Sequence, residues 1–170
     1  MSALAKEEIL RLIKSAKPLL EDYPDLENQL QPNGFDLSLK QVRSLEGEGV
    51  LPTDNARRKL PVNNPLEFDH NNQIKLMPGI YSVVYNEVVN IPKDVMALAT
   101  PRSSLLRSGC TVNTAVWDAG YSGRSESLLV VYNPAGLILE RNTRLIQLVF
   151  FKLNAETGGY CGIYQNENKN

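Results

Sequence analysis

From Phe35 onward the chain is cut into short runs of β-branched and aromatic residues, each ended by a proline, glycine or asparagine. The clearest are "FDLSLKQV", "QIKLMPGIYSVVYNEVVNIPKDVMALAT", "SLLVVYNPAGLIL" and "RLIQLVFFKL". Turn signals such as "MPG", "IPKD" and "NPAG" recur about every 8 to 12 residues, the rhythm of strands in a sandwich or barrel. The expected fold is therefore mainly β. One segment departs from this texture. In "ALAKEEILRLIKSAKPLLED", Ile9, Leu12, Ile13, Ala16 and Leu20 fall at helical spacing and Pro18 marks a break, which predicts one amphipathic N-terminal helix within residues 1–24. At 170 residues the chain has room for a real core and is read as one domain. Residues 46–72 are polar and expected to form an exposed loop or excursion. Residues 154–170, "NAETGGYCGIYQNENKN", lack core periodicity and are expected to be a flexible tail.

Charge and composition narrow the function. Eighteen Lys and Arg against nineteen Asp and Glu give a formal charge of -1. No global basic field draws in nucleic acid or an anionic membrane, so neither is expected as a partner. No run of about 18 apolar residues exists, so no spanning helix is expected. Cys110 and Cys161 have no CxxC spacing, and no cationic, apolar, Ala-x-Ala-ended leader opens the chain; a reduced, cytoplasmic setting is expected. The single histidine, His70 in "FDHNNQ", leaves Ser-His-Asp, Cys-His and multi-histidine zinc chemistry short of parts. Any catalysis has to run on carboxylates, hydroxyls, arginines or an added metal.

Four stretches hold such groups. "ATPRSSLLRSG" supplies Arg102, Ser103, Ser104 and Arg107 within six residues. Hydroxyls, guanidinium groups and free backbone N–H groups at a strand end suit a polyphosphate, with its many acceptor oxygens and negative charges. The plainer reading is a helical turn capped by Ser103 with solvated arginines, and composition alone favours it. In "TAVWDAGYSGR", Gly120 and Gly123 permit tight backbone geometry, and Asp118 and Tyr121 stand three residues apart. Such a hairpin presents a carboxylate and a ring to one ligand, or is an ordinary Asp-Gly turn. Asp36 in "LQPNGFDLSL" is a turn former or a water-mediated partner of a metal–phosphate group. "RNTRLIQLVFFKL" places Gln147 in an alternating strand that Arg144 begins.

The order of these pieces is more specific than any one of them. "QPNGFDLSL", "PRSSLLRSG", "TAVWDAGYSG", "RLIQLVF" and a Gly/Tyr tail resemble the five ordered motifs of the trimeric dUTPase and dCTP deaminase superfamily, from about Leu30 to Asn166. Within it the "TAVWD-x-GY-x-GR" stretch looks like that of the archaeal-type dUTPases. The resemblance implies a barrel-like, β-clip subunit assembled as a homotrimer, with each active site built from more than one chain. It implies Mg²⁺-dependent hydrolysis of dUTP to dUMP and pyrophosphate, which limits uracil entry into DNA and supplies dUMP for dTMP synthesis. By the same resemblance Arg102, Ser103 and Ser104 hold the phosphates and Gln147 assists. Arg107 matches a phosphate-binding arginine of the deaminase branch. Asp36 supports the Mg²⁺–triphosphate group indirectly, through water and phosphates. Asp118 is the base that orients and deprotonates the attacking water, and Tyr121 packs on the deoxyribose and excludes a 2′-hydroxyl. The tail is closest to "YxGxYQ" tails, so Tyr160, Tyr164 and Gln165 are its lid candidates; it lacks the arginine and phenylalanine usual in dUTPase tails.

The deaminase branch is the alternative. It carries a catalytic glutamate in a pattern like "LEFYN", where this chain reads "LVVYN" with Val130 in the glutamate's place. Glu126, four residues earlier on the same strand face, is about 13 Å away along an extended chain. The H-x-E and P-C-x-x-C signature of zinc deaminases is absent too. Hydrolysis is therefore preferred over a mono- or bifunctional dCTP deaminase, and the intact Arg102, Ser103, Ser104, Asp118 and Tyr121 argue against a catalytically silent protein that only binds nucleotide.

Overall fold

The computed structural model describes residues 2–169, so the first and last positions of the expected 1–170 domain lie outside the described residues. The chain opens with β1 (Ser2–Ala3), α1 (Lys6–Ile13), β2 (Leu20–Glu21), α2 (Leu26–Gln29), β3 (Leu30–Gln31) and the long β4 (Gly34–Glu46). A 3-10 turn (Asn55–Arg57) precedes β5 (Val62–Leu66), β6 (Gln73–Leu76), β7 (Gly79–Tyr85), β8 (Val88–Asn90) and β9 (Val95–Pro101). After α3 (Ser103–Arg107) come β10 (Cys110–Asn113), β11 (Ser122–Gly123), β12 (Glu126–Val131), β13 (Leu137–Glu140) and β14 (Arg144–Lys152). The mainly β expectation holds: the long strands form one curled antiparallel sheet in the order β1-β14-β4-β7-β12-β10, with β3 and β5 also on β4 and β9 on the other side of β14. Two small sheets, β11-β8-β2 and β13-β6, flank it. No helix among the described residues is long and apolar enough to cross a membrane.

Alternation along the strands builds the core. Phe35, Leu37 and Leu39 from β4 meet Leu148 and Phe150 from β14 and Leu129 from β12, all fully buried. On β14 the alternation slips. Arg144 lies opposite Ser38 and Ile146 opposite Leu37, so Leu145 is an extra, bulged residue, and Leu145 and Ile146 are both buried. Because directly opposed residues share a face, the bulge puts Arg144 and Gln147, three apart in sequence, on the face that carries Ser38 and Asp36.

Local readings need three corrections. The N-terminal helix stops at Ile13, where the Ser15 hydroxyl donates to the Leu12 and Lys17 carbonyls and Pro18 disfavours helical backbone at Lys17. Leu20, expected on that helix, instead pairs with Val89 in a strand. Two further helices, of four and five residues, join the expected one. The polar excursion is only partly a loop, since Val62–Leu66 returns as β5 along Val42–Glu46; "VNNPL" hides this because Asn and Pro are poor strand formers, and Pro is accepted here on an edge strand.

Gly34 is where β3, β4 and β14 meet most closely. A Cβ there would overlap the Leu148 carbonyl oxygen and sit 2.8 Å from Gln147 Nε2. Gly34→Ala should cost about 1–3 kcal/mol by overpacking, read as a lowered denaturant midpoint at unchanged slope; an unshifted midpoint would show that β14 yields freely.

Candidate active site

Two clusters of functional groups stand out, at opposite ends of β9. The first gathers around Asp36. Its side chain is 2% exposed, and its Oδ2 accepts from Arg102 Nε at 3.1 Å and Arg144 Nη1 at 3.2 Å. Burial raises the Asp36 carboxyl above its ordinary pKa, and the two guanidinium groups oppose that rise. Arg102 is placed twice over, because its backbone N–H donates to the carbonyl of the bulged Leu145 at 2.9 Å. With Nε committed to Asp36, the terminal nitrogens of Arg102 have no partner among the described residues. Ser103, Ser104 and Arg107 follow on α3, exposed, with side chains that also lack partners among the described residues. The segment is a helical turn, as its plainer reading held, but Arg102 is the cap residue and no side chain caps it, so the serine hydroxyls stay free. Gln147 stands opposite Asp36 on β4 and Thr100 on β9, half-buried at the edge of the same cluster. The result is a surface of guanidinium, hydroxyl and amide donors around one buried carboxylate.

The second cluster is the hairpin between β10 and β12. Trp117 bridges to Ala97 on β9, and its indole N–H donates to Ser125 Oγ at 3.1 Å. Tyr121 N–H donates to the Asp118 carbonyl at 3.0 Å, and Gly120 takes φ +83° at the third position, the geometry of a type II turn. Gly120 N–H then reaches Ile91 O, and Ile91 N–H reaches Tyr121 O, so the turn is pinned on both sides. Asp118 makes the turn with its backbone while its exposed carboxylate has no partner among the described residues. Beside it opens a cavity of about 360 Å³ whose walls include Trp117, Asp118, Tyr121, Glu126, Tyr160 and Glu167. That volume suits a small organic ligand. The Tyr121 ring is buried edge-to-face against Tyr160 at 5.7 Å, and its hydroxyl donates to Glu167 Oε1 at 2.8 Å. Burial raises the Tyr121 hydroxyl, and the neighbouring Glu167 adds to that rise; burial also raises the Glu167 carboxyl, against the Tyr121 hydrogen bond, which lowers it.

The C-terminal segment lies across this hairpin. Tyr160 N–H donates to Ala119 O, Asn166 N–H to Ser122 O, and the Gln165 side chain accepts from Ser122 N–H and donates to Gly120 O. A Cβ on Gly120 would come within 2.8 Å of Gly159 Cα, so the contact depends on a bare backbone. Tyr160, Tyr164 and Gln165 thus all reach the hairpin or its cavity.

Sequence reading missed three members. Arg144 was visible only as the first residue of a strand, and the bulge that brings it to Asp36 leaves no mark in "RLIQLVF". Glu167 lay in a stretch without periodicity. Glu126 was measured against the position of Val130, yet it lines the cavity with Asp118, held in an ion pair with Arg43 and accepting from Ser82 Oγ at 3.0 Å and Asn63 Nδ2 at 3.1 Å.

The two clusters do not meet within one chain. Trp117 is paired with Ala97, and Arg102 lies five residues farther along β9, roughly 16 Å at ~3.3 Å per residue.

The model of the dCTP deaminase-like family matches residues 3–153. The probable deoxyuridine 5′-triphosphate nucleotidohydrolase of Methanosarcina mazei is 54% identical over 171 residues, covering 100% of each chain. The deoxyuridine 5′-triphosphate nucleotidohydrolase of Methanocaldococcus jannaschii is 41% identical over 142 residues, 82% of this chain and 88% of its own. The crystal structure of 2′-deoxycytidine 5′-triphosphate deaminase from Agrobacterium tumefaciens matches 87% of this chain at 25% identity with a TM-score of 0.64, and this chain spans 47% of that one.

If the Asp36–Arg102 cluster takes a phosphate chain, the planar guanidinium matters beyond its charge. Arg102→Lys keeps the charge but has one nitrogen, so it cannot hold Asp36 and present a planar fork of separate nitrogens to phosphate oxygens at once. Inorganic tripolyphosphate should bind roughly tenfold more weakly at an unchanged melting temperature; calorimetry showing parental affinity would remove Arg102 from the site.

Proposed function

The chain belongs to the dCTP deaminase-like family, and from that membership and the geometry of its two clusters we propose that it hydrolyses dUTP to dUMP and pyrophosphate. The observation that carries the reading is Asp118: an unpartnered carboxylate on a turn pinned at both ends, beside a cavity of nucleoside size. The full-length match to a Methanosarcina mazei protein named for that reaction supports the substrate.

In this mechanism the nucleoside enters the cavity with its deoxyribose against Tyr121. The Tyr121 ring, fixed by Tyr160 and by the hydroxyl bond to Glu167, leaves no room for a 2′-hydroxyl. Arg102, Ser103, Ser104 and Gln147 hold the phosphates, with Arg107 at the margin, and draw negative charge away from the α-phosphorus. Asp118 accepts a proton from a water molecule as its oxygen bonds to that phosphorus, the bond to the bridging oxygen breaks, and pyrophosphate leaves with the electron pair. Tyr160, Tyr164 and Gln165 close over the nucleotide. Mg²⁺ would arrive with the substrate. No cluster of three or more His, Cys, Asp or Glu suited to a metal exists among the described residues, and Asp36 Oδ2 already faces two guanidinium groups. Bound with the substrate, Mg²⁺ would neutralise charge on the triphosphate, and Asp36 would support it only indirectly, through water and phosphates.

The reaction needs both clusters at one phosphate chain, and about 16 Å separates them in a single chain. A homotrimer in which one chain's hairpin faces another's Arg102 satisfies this. Light scattering should give about three times 19.0 kDa at micromolar concentration; a monomer that turns over dUTP would rule out shared sites. The free thiols Cys110 and Cys161 fit a reduced, cytoplasmic setting.

Deamination of dCTP is the second reading, and Glu126 in the cavity wall is the observation that favours it. Its carboxylate is occupied by Arg43, Asn63 and Ser82, and Val130 cannot move a proton. Incubation with Mg²⁺ and dUTP, dCTP or UTP separates the readings: dUMP and pyrophosphate from dUTP support hydrolysis, dUTP from dCTP supports deamination, and no product leaves a silent binder. Asp118→Asn should lower dUTP turnover by a factor on the order of 10² or more while nucleotide affinity and melting temperature stay near parental; a folded variant with the parental rate would reject Asp118 as the base.

A further inference from the structure

Glu87 is a carboxylate that the mechanism does not use, and it is 0% exposed. It sits in the two-residue link between β7 and β8, and no cation pairs with it among the described residues. A buried, unpaired carboxylate costs several kcal/mol unless donors surround it. Here they do. Its Oε1 accepts from Gln29 Nε2 at 2.6 Å and from Ser38 Oγ at 2.6 Å, and its Oε2 accepts from Ser38 N–H at 2.9 Å.

All of these donors lead to the arginine cluster. Ser38 is two residues from Asp36 on the same face of β4, opposite Arg144. Gln29 Nε2 also donates to the Asp36 carbonyl at 2.8 Å, and its Oε1 accepts from Asp25 N–H, which ties the start of α2 to its end. The carbonyl of Asn28, the residue before Gln29, is the second acceptor of Arg144 Nη1. One carboxylate therefore holds both surfaces that orient Arg144, and the backbone that presents Asp36 to Arg102.

We propose that Glu87 is a positioning residue for the phosphate-binding cluster, fixing β4 at Asp36–Ser38 and the end of α2 so that Arg102 and Arg144 are held toward one phosphate chain. The inference rests on the hydrolase reading only for the identity of that chain. Its strength lies in acceptor geometry: three donors converge on Glu87, and Glu87→Gln, nearly the same size, must turn an NH₂ group toward at least one of them. Donor then faces donor, and β4 or α2 shifts. A displacement near 1 Å suffices to spoil a site of this kind.

The test measures inorganic tripolyphosphate and deoxyuridine binding separately by calorimetry, with dUTP turnover alongside. For folded Glu87→Gln, tripolyphosphate affinity should fall roughly 10- to 100-fold and the KM for dUTP should rise, while deoxyuridine affinity is unchanged. Ser38→Ala removes one donor and keeps the backbone one, so it should move the same readout in the same direction by less. Parental tripolyphosphate affinity in folded Glu87→Gln overturns the proposal, as does an equal loss of tripolyphosphate and deoxyuridine binding. If Glu87→Gln does not fold, Ser38→Ala decides, and parental affinity there overturns it. A parent protein that binds tripolyphosphate but leaves dUTP intact defeats the hydrolase reading and leaves this test standing.

Discussion

One carboxylate oxygen organises the arginine cluster at the far end of β9. Asp36 Oδ2 meets two guanidinium groups from separate elements, one after β9 and one at the start of β14. A carboxylate this buried is tolerable because those cations face it, and it in turn helps to fix them, beside the Leu145 carbonyl for Arg102 and the Asn28 carbonyl for Arg144. The geometry that allows the meeting is the extra residue at Leu145. Without it, regular alternation would send Arg144 and Gln147 to opposite faces of β14. With it, both share the Asp36 face, and the freed Leu145 carbonyl takes the backbone N–H of Arg102. A bulge usually reads as a local irregularity; here it aims side chains, as bulges beside functional sites often do.

The hairpin that carries Asp118 obeys a different constraint, a turn with no freedom left. Asp118 is flanked by Trp117, bridged to β9, and by Gly120 and Tyr121, bonded to Ile91. Every neighbour is committed, so the carboxylate between them is held in place without a side-chain partner of its own. Glu126 illustrates the contrary arrangement in the same cavity: a carboxylate with an arginine, an amide and a hydroxyl on it is well placed and chemically occupied. Of the two, only Asp118 has a carboxylate without a partner among the described residues.

Much of this was legible in the sequence, and what was not has physical causes. The long strands announced themselves through alternation, and the Asp118 turn through Asp and Gly at fixed spacing. The order of the motifs placed Asp36, Arg102 and Gln147 in one family pattern, and the structure brings them to one surface. The bulge was illegible because "RLIQLVFFKL" is apolar enough to be buried in either register. Strand β5 was hidden by Asn and Pro, which only an edge position forgives. The N-terminal helix was read too long because Ala16 and Leu20 fit a helical period, whereas the Ser15 hydroxyl and Pro18 stop it locally. Glu87 gave no sign at all, since its meaning depends on three donors from β4 and α2 that come together only in the fold.

Strand β14 is the last strand among the described residues and joins three others: Lys152 pairs with Ser2 on β1, Leu148 with Phe35 on β4, and residues Ile146 to Lys152 with β9. During synthesis, then, β4 and β9 emerge with exposed edges and an unfinished core until β14 pairs with both. Contacts that span nearly the full chain make for slow assembly and for a nascent molecule open to mispairing until its final strand is out. The architecture that fixes Arg102 and Arg144 so firmly in the finished protein makes closure of the core wait for β14.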